Sequence, residues 1–547
     1  MWSGFELLGF RDSIYGRLTV LGAGGMRSIY DNGSILANLP DPSAAEESVH
    51  YALLEHPEPK TVLLIGAGIN GSLAEALKHP SLERLDYVEI DPALIDLMHR
   101  LFPLEFTAAF SDRRVHLHEM DGRLFLQTSP VQFDAILANV PDPANAQLNR
   151  FYTVEFFRLA RAHLAPGGVL ALQVRASEDY ISPEEAEFLR CLDRSLQQVF
   201  PHVSVIPGES FHLFASMDPK VLTEDPQVLI SRLKSRGLQT LYVREYFVPF
   251  RMMPDRMARI HNLLQPQPGT PVNKDFRPAA YYFNTVLWSA QFNRGYARLL
   301  ETAEHIRYRS VLCTATATCF AVVLIFGWVW PLKRRAQAAC VLCVTASGYT
   351  LMILQILLLL AFQSVFGFVY HELALLIGMF MAGIAIGSLL GILRASHRNR
   401  KALMRWTAIN QLLLAASAPL LLVVVFLLAQ YFHAAGALAA ARIAFPCLAL
   451  LVAVPGGYQF PLASVIYFSR SSKGKNLAVL YSVDLLGGCI GALLLSGFLI
   501  PLYGFWNVAT ITAVVNIAVA ALAARACGGL AVANLHAAAC VRERPAR

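Results

Sequence analysis

Acidic residues all but disappear after residue 310, where only Glu372, Asp484 and Glu543 stand against sixteen Lys and Arg. That part carries +13, so the overall +7 leaves −6 on residues 1–310. A basic chain suggests nucleic acid, but here the positive charge lies in short stretches between apolar runs, as membrane proteins place it, and no nucleic-acid partner is expected. Cysteine is scarce in the first part: of nine, only Cys191 precedes residue 311. A disulfide framework is therefore excluded there, and the domain must be held by its core. Cys340 and Cys343 form a CxxC inside an apolar run with no second ligand pair, so they read as small membrane-core residues and no metal is expected. Residues 1–59 lack a basic start and an apolar run of useful length, so no signal peptide is expected.

What is present begins with residues 61–91, which read as strand, glycine turn, helix and second strand. The run TVLLI suits a strand buried on both faces, and Gly66, Gly68 and Gly71 follow at GxGxxG spacing. In such a unit the first glycine permits the turn, the second lets backbone approach a ligand, and the third lets the helix pack. Glu89 falls about twenty residues on, where an acid that binds ribose hydroxyls is expected. Residues 15–21 and 27–30, with Asp31-Asn32-Gly33 as a hairpin signal, predict a small β cap before this unit. Beyond it, a helix over 92–102, strands near 114–118 and 133–138, a helix over 153–164, a turn at 165–168 and a strand over 169–174 alternate with short loops. That alternation implies a Rossmann-like α/β fold, a doubly wound and mainly parallel sheet whose ligand crevice lies at the carboxyl ends of the strands. Glu89, Asp121, Asn139 and Asp142 all fall at such ends.

Several motifs occur in order: Gly66-Ala67-Gly68-Ile69-Asn70-Gly71, Val88-Glu89-Ile90-Asp91, Asp121-Gly122, FDAILANVPDP over 133–143, and LNRFYTVEFF over 148–157. Together they resemble the spermidine synthase family, the polyamine aminopropyltransferases, with the class I methyltransferase-type fold, over roughly residues 10–215. Bacterial proteins that join such a domain to membrane spans look similar over the whole length, including Asn273-Lys274-Asp275-Phe276-Arg277-Pro278 and Tyr281-Tyr282. The resemblance implies transfer of an aminopropyl group from decarboxylated S-adenosylmethionine to an amine. It implies that Gly66, Gly68, Asn70 and Gly71 line the nucleoside, that Glu89 holds the ribose hydroxyls, and that Asp121 with Gly122 reads the adenine amino group. The amine half departs from the family: its aminopropyl-binding aspartate is Asn70 here, its general base is Asn139, and its gate tyrosine and glutamate are His50 and Ala52. An amide cannot accept the proton of an ammonium group, and losing a base commonly costs a factor of about 10² to 10⁴. Asp142 is the one acid of that loop retained, with Glu46 and Glu47 as reinforcements.

The expected ligands are therefore decarboxylated S-adenosylmethionine or S-adenosylmethionine itself, and a polyamine. A catalytically degenerate sensor or transporter-coupled binding module, and a methyltransferase, stand as alternatives. The expected organisation is a β-rich cap over 1–58, the Rossmann-like domain over 59–215, a lid or docking region over 216–309 with amphipathic helices near 222–236 and 252–264, and an all-α transmembrane bundle of six or seven spans over 310–526. A basic tail fills 527–547. A multi-pass protein of the inner or plasma membrane is expected, with lipid as partner and a homo-oligomer allowed. Gly383, Gly387 and Gly391, and Gly487 with Gly491, predict close helix packing. Asp484 is expected to face a partner within the bundle, with Gln459 the candidate in a span broken by Pro455-Gly456-Gly457. Tyr281-Tyr282 read as interfacial anchors. Basic clusters after the first, third, fifth and seventh runs (Lys333-Arg334-Arg335; Arg394, Arg398, Arg400, Lys401 and Arg405; Arg470, Lys473 and Lys475; Arg542 and Arg544) mark cytoplasmic loops. Arg294, Arg298, Arg307 and Arg309 before the first run offset its cluster, so the soluble domain is expected to be cytoplasmic with run 311–331 not crossing fully.

Overall fold

The structure, a computed structural model, describes residues 4–176, 180–265, 267–292, 295, 302, 306–331, 334–366, 370–396, 399–431, 437–468, 473–494 and 498–542. Arg294, Arg298, Lys333, Arg398, Arg470 and Arg544, used above for sidedness, lie outside the described residues. The chain divides into two units, residues 1–294 with 366–370, and residues 295–365 with 371–547.

In the first unit β1 (Glu6–Asp12), β2 (Arg17–Ala23), β3 (Met26–Asp31) and β4 (Ser34–Leu39) form an antiparallel sheet in sequence order. Asn32 and Gly33 take φ 48 and 84, so the Asn-Gly pair does make the β3–β4 hairpin. The helix α1 (Pro42–Glu55) starts at Asp41, whose side chain accepts the Ala44 N–H at 3.0 Å, and every residue from Ala45 to Glu55 is buried. It packs against α2 (Ser72–Leu77), the strands Phe133–Ala138 and Leu164–Arg175, and the helix Pro226–Ser235, which explains its lack of an exposed face.

Seven strands make the central sheet in the order β10-β11-β9-β8-β5-β6-β7. They are β5 (Thr61–Ile65), β6 (Arg84–Glu89), β7 (Val115–Glu119), β8 (Phe133–Ala138), β9 (Leu164–Arg175), β10 (His202–Ile206) and β11 (Ser210–Ser216). β5 pairs in parallel with both β6 and β8, so the winding reverses at β5 and opens a crevice at its carboxyl end. The Rossmann-like reading thus holds, with an antiparallel edge of β10 and β11. The turn expected at 165–168 is part of β9: Gly167 takes φ 78 and the register with β8 shifts beside it, so the glycines bend the strand instead of ending it.

Helices α3 (Pro92–Leu101), α4 (Leu104–Thr107), α5 (Gly122–Thr128), α6 (Ala146–Asn149), α7 (Val154–His163) and α8 (Pro183–Gln197) flank the sheet. Then come α9 (Pro226–Ser235), α10 (Phe247–Arg251), α11 (Pro254–Leu264) and α12 (Ala279–Phe292). The stretch carrying α9 and α10 docks on α1. Arg232 gives N–H groups to the carbonyls of Leu54 and Glu55, and Arg236 to those of Leu53, His56 and Pro57, so two guanidiniums cap the end of α1. Tyr282 is buried at 3% exposure in α12, which packs on α8, so it is a core residue of this unit and not a membrane anchor.

Among the described residues, the second unit has seven helices long and apolar enough to cross a membrane. They lie in Tyr308–Val329, Arg335–Phe366, Tyr370–Ala395, Arg400–Tyr431, Ala437–Phe468, Lys473–Leu494 and Ile500–Arg542, the last kinked at Gly504. The glycine pattern does bring backbones together. A Cβ on Gly383 or Gly387 would stand 2.2 or 2.1 Å from the carbonyl of Leu450 or Val454, and one on Gly487 would stand 2.1 Å from that of Thr345. The break expected at Pro455-Gly456-Gly457 does not occur. Ala437–Phe468 runs through Pro446, Pro455 and Pro461, and Ser388 Oγ donates at 3.1 Å to the Gly457 carbonyl that Pro461 leaves without an N–H. Gln459 does not meet Asp484 either. Its amide lies in a buried chain in which Asn410 Nδ2 donates to Gln459 Oε1 (2.6 Å), Gln459 Nε2 to Gln411 Oε1 (3.1 Å), Gln411 Nε2 to Asn516 Oδ1 (2.6 Å), and Asn516 Nδ2 to Thr350 Oγ1 (2.8 Å). Neutral amides satisfy one another there at less desolvation cost than an acid would incur. Asp484 instead lies against Gly348.

Candidate active site

The glycine loop turns tightly after β5, with Gly66, Ala67 and Gly71 at φ 72, 54 and 104. A Cβ on Gly66 would stand 2.9 Å from the Asn139 carbonyl, which keeps the loop against the end of β8. The reason for Gly68 differs from the one the motif suggests: a Cβ there would stand 2.4 Å from the Tyr87 ring, so the side chain below the loop demands glycine. Asn70 is turned inward, its Oδ1 accepting the Ser72 N–H at 3.0 Å and the Ser72 hydroxyl. Its amide oxygen thus steadies the start of α2.

Glu89 ends β6 at 8% exposure, its carboxylate accepting the Tyr87 hydroxyl at 3.0 Å and the Asp91 N–H at 3.2 Å. Burial pushes its carboxyl above the ordinary value, against the pull of those donors, so hydroxyl donors supplied by a ligand would stabilise the charged form. Asp121, beyond the adjoining β7, caps α5: Oδ1 accepts the N–H groups of Arg123 and Leu124, both at 3.0 Å, and Oδ2 accepts an N–H of Arg150 at 2.7 Å. Gly122 has no room for a side chain, since a Cβ would stand 2.5 Å from Ile65 Cγ2 at the end of β5. The ends of β5, β6 and β7 are thus brought together as the motifs suggest, with Glu89 and Asp121 as two acids at neighbouring strand ends.

The other half is filled by the protein itself. Asn139 Nδ2 donates to the Ser48 carbonyl of α1 at 2.8 Å, a bond that an ionised aspartate could not make. Asp142 Oδ1 accepts the Arg175 N–H at 3.2 Å, and burial raises its carboxyl above the usual range despite that donor. Glu46 is 2% exposed and accepts the N–H groups of Leu241, Tyr242 and Val243 at 2.6, 2.7 and 2.9 Å. Glu47 pairs with Arg251 at 2.5 Å and lies 3.5 Å from His212 Nε2; burial pushes its carboxyl up, but these two partners hold it below the ordinary value. Both glutamates that the sequence offered as amine ligands therefore bind the stretch after β11.

His50, which stands where the family's gate tyrosine is expected, is fully buried in a chain of polar contacts. Arg236 can only donate, so at 3.0 Å it fixes His79 Nδ1 as acceptor. His79 Nε2 then donates to His50 Nδ1 (2.9 Å), and His50 Nε2 donates to Glu75 Oε2 (3.0 Å). Burial pushes His79 down to about 2, so it stays neutral and this direction is kept. Among the described residues no three His, Cys, Asp or Glu side chains gather as metal ligands. Sequence reasoning missed Arg123, Arg150, Arg236 and His79; arginines in otherwise apolar stretches such as LNRFYTV were the available signal.

Residues 43–207 match the family described as Spermine/spermidine synthase domain. The polyamine aminopropyltransferase of Nitrosomonas europaea is 35% identical over 162 residues, 30% of this chain and 49% of that protein. That of Leptospira biflexa serovar Patoc is 30% identical over 215 residues, 37% of this chain and 74% of that protein. Spermidine synthase 2 of Hyoscyamus niger is 36% identical over 264 residues, 46% of this chain and 81% of that protein. The chain spans about half the length of the first relative and about three quarters or more of the other two.

Proposed function

From the premise that this chain belongs to the spermine/spermidine synthase family, we propose that its α/β domain binds S-adenosylmethionine or its decarboxylated form, and that from the decarboxylated form it transfers the aminopropyl group to an amine. The observation that carries this is the pair Glu89 and Asp121 at neighbouring strand ends beside the glycine loop. Glu89 accepts the ribose hydroxyls and Asp121 accepts from the adenine amino group. In the transfer the amine lone pair attacks the carbon next to the sulfonium, the carbon–sulfur bond breaks, and methylthioadenosine leaves. The ammonium proton passes to Asp142, whose raised affinity for a proton suits it to that work.

A second reading, a binding module that senses the nucleoside without turnover, is favoured by the contacts of three residues. Asn139 is committed to the Ser48 carbonyl, and Glu46 and Glu47 to the later stretch, so little negative charge is left to attract a polycation. Calorimetry of the full-length protein with decarboxylated S-adenosylmethionine, S-adenosylmethionine and methylthioadenosine tests the first reading. Loss of the charge-assisted ribose bonds in Glu89→Ala is expected to weaken binding by about 2 to 4 kcal/mol, roughly 30- to 1,000-fold. Equal binding by variant and wild type would place the nucleoside elsewhere. Tight nucleoside binding without transfer to any amine supports the sensor.

We also propose that the seven apolar helices anchor the protein in the inner or plasma membrane, with the α/β domain on the cytoplasmic side where its nucleoside is made. This requires Tyr308–Val329 to lie short of a full crossing, although its 22 residues would reach about 33 Å at 1.5 Å per residue. Reporter fusions at positions 305, 398 and 473 should all report the cytoplasm; a fusion at 305 on the opposite side from the others sinks the assignment.

A further inference from the structure

Two arginines are sealed beneath Asp121. Arg150, 1% exposed, gives the N–H that Asp121 Oδ2 accepts. Arg123, 6% exposed, binds Asp275 with two N–H groups at 2.9 and 3.0 Å and gives another to the Arg150 carbonyl at 3.1 Å. Asp275 also accepts the Thr153 hydroxyl at 2.7 Å, and its own N–H reaches Glu155 Oε2 at 3.1 Å. Two residues earlier, the wholly buried Asn273 gives its amide hydrogens to Asn149 Oδ1 and the Tyr152 carbonyl at 3.0 and 2.8 Å, and its carbonyl accepts the Val154 N–H at 3.1 Å. A segment remote in sequence is therefore bonded to both sides of the turn that carries Arg150.

The electrostatics of this arrangement have a direction. Neighbouring guanidiniums repel, and each stays in place while it has its own carboxylate, Asp275 for Arg123 and Asp121 for Arg150. An ionised carboxylate only accepts hydrogen bonds and offers about four lone-pair positions. Three donors on Asp121 are accounted for, two backbone N–H groups on Oδ1 and Arg150 on Oδ2, which leaves a position on Oδ2 for one more donor. An exocyclic amino group supplies that donor; an oxo group supplies a repelling lone pair.

We propose that Asp275, acting through Arg123 and Arg150, is a positioning residue that keeps the Asp121 carboxylate aimed as an acceptor and thereby sets the preference of the site for a 6-amino over a 6-oxo purine nucleoside. This rests on the nucleoside reading of the site. Asp275 itself touches no ligand. With its charge removed, Arg123 is left between the carboxylates of Glu155 and Asp121. Where it reaches Asp121 it competes with Arg150, so the acid is re-aimed and base discrimination falls. Glu89 shares no partner with this network, so the ribose contact survives.

The test measures the affinities of the full-length protein for methylthioadenosine and methylthioinosine, in wild type, Asp275→Asn and Glu89→Ala. Wild type should favour the adenosine compound roughly 10- to 100-fold, the cost of an unmade or repelling hydrogen bond in a buried site. Asp275→Asn should cut that ratio about tenfold, whereas Glu89→Ala should weaken both compounds and hold the ratio within about threefold. A merely structural Asp275 would weaken both compounds alike, and an unchanged ratio in Asp275→Asn overturns the proposal. If wild type binds both compounds tightly with no preference, the base-reading role of Asp121 falls and this proposal with it; if it binds neither, the functional reading itself has failed. Should Asp275→Asn not fold, Thr153→Val removes one donor to Asp275 while keeping its charge. There the ratio should fall about two- to fivefold, and no change overturns the proposal.

Discussion

Glu46→Ala should lower the unfolding temperature of the α/β domain by roughly 10 °C and release the stretch around residues 241–253 to protease. The carboxylate of Glu46 is nearly inaccessible and accepts three consecutive backbone N–H groups, from Leu241, Tyr242 and Val243. A hydrogen bond to a charged group contributes about 1.5 to 3 kcal/mol, and a buried donor left unpaired costs about 1 to 3 kcal/mol. Water will enter to satisfy part of the loss, so a net cost of about 3 to 5 kcal/mol is expected, and each kcal/mol shifts a domain of this size by about 2 to 4 °C. Glu46→Gln, which keeps an acceptor but also brings donors to face donors, should lie between. Thermal unfolding in parallel with limited proteolysis checks this. An unchanged melting temperature together with an unchanged cleavage pattern would show that Glu46 does not hold the stretch.

Glu55→Gln should remove a pH dependence that wild type shows on the alkaline side. Glu55 is fully buried at the end of α1, where it accepts the Thr223 N–H at 2.8 Å, and burial raises its carboxyl to about 8 from an ordinary 4.5. A carboxyl whose folded value is raised binds its proton more tightly in the folded state. Its contribution is fully present below pH 4.5 and is lost as pH rises through 8. At about 1.4 kcal/mol per unit the upper limit is about 5 kcal/mol, and structural relaxation makes 2 to 4 kcal/mol the expected loss. Glutamine retains the acceptor for Thr223 and cannot ionise. The variant should therefore match or slightly trail wild type near pH 5 and exceed it by several degrees at pH 9. Parallel melting curves of the two proteins from pH 5 to pH 9 would contradict the assignment.

Much of the fold follows from local pattern. The run TVLLI with its glycines gives β5 and the loop, Asn32-Gly33 gives a hairpin, and the apolar runs after residue 310 give seven helices of spanning length, because each signal lies within the segment it describes. The strands β1, β10 and β11 are not legible in the pattern: β1 alternates poorly and exposes Leu7 and Phe10, while β10 and β11 lie beyond the motifs. The helix Ala437–Phe468 was read as broken because proline removes an N–H locally, whereas the group that repairs the helix, Ser388, lies on another helix.

For the site, the sequence placed Glu89, Asp121, Asn139 and Asp142 at strand ends, since topology alone puts the crevice there. It did not separate the carboxylates of Glu89, Asp121 and Asp142 from those of Glu46 and Glu47, which carry the same functional group. Only the tertiary structure decided that Glu46 is saturated by backbone from some 195 residues away and Glu47 by Arg251. Likewise it decided that Asp275, which the sequence offered only as part of a lid or docking region, is bonded beneath Asp121 through two arginines. The physical reason is that periodicity records which face a residue takes, a property of the local backbone. Whether a buried carboxylate is left to meet a ligand depends on which donors long-range packing brings within about 3 Å of it.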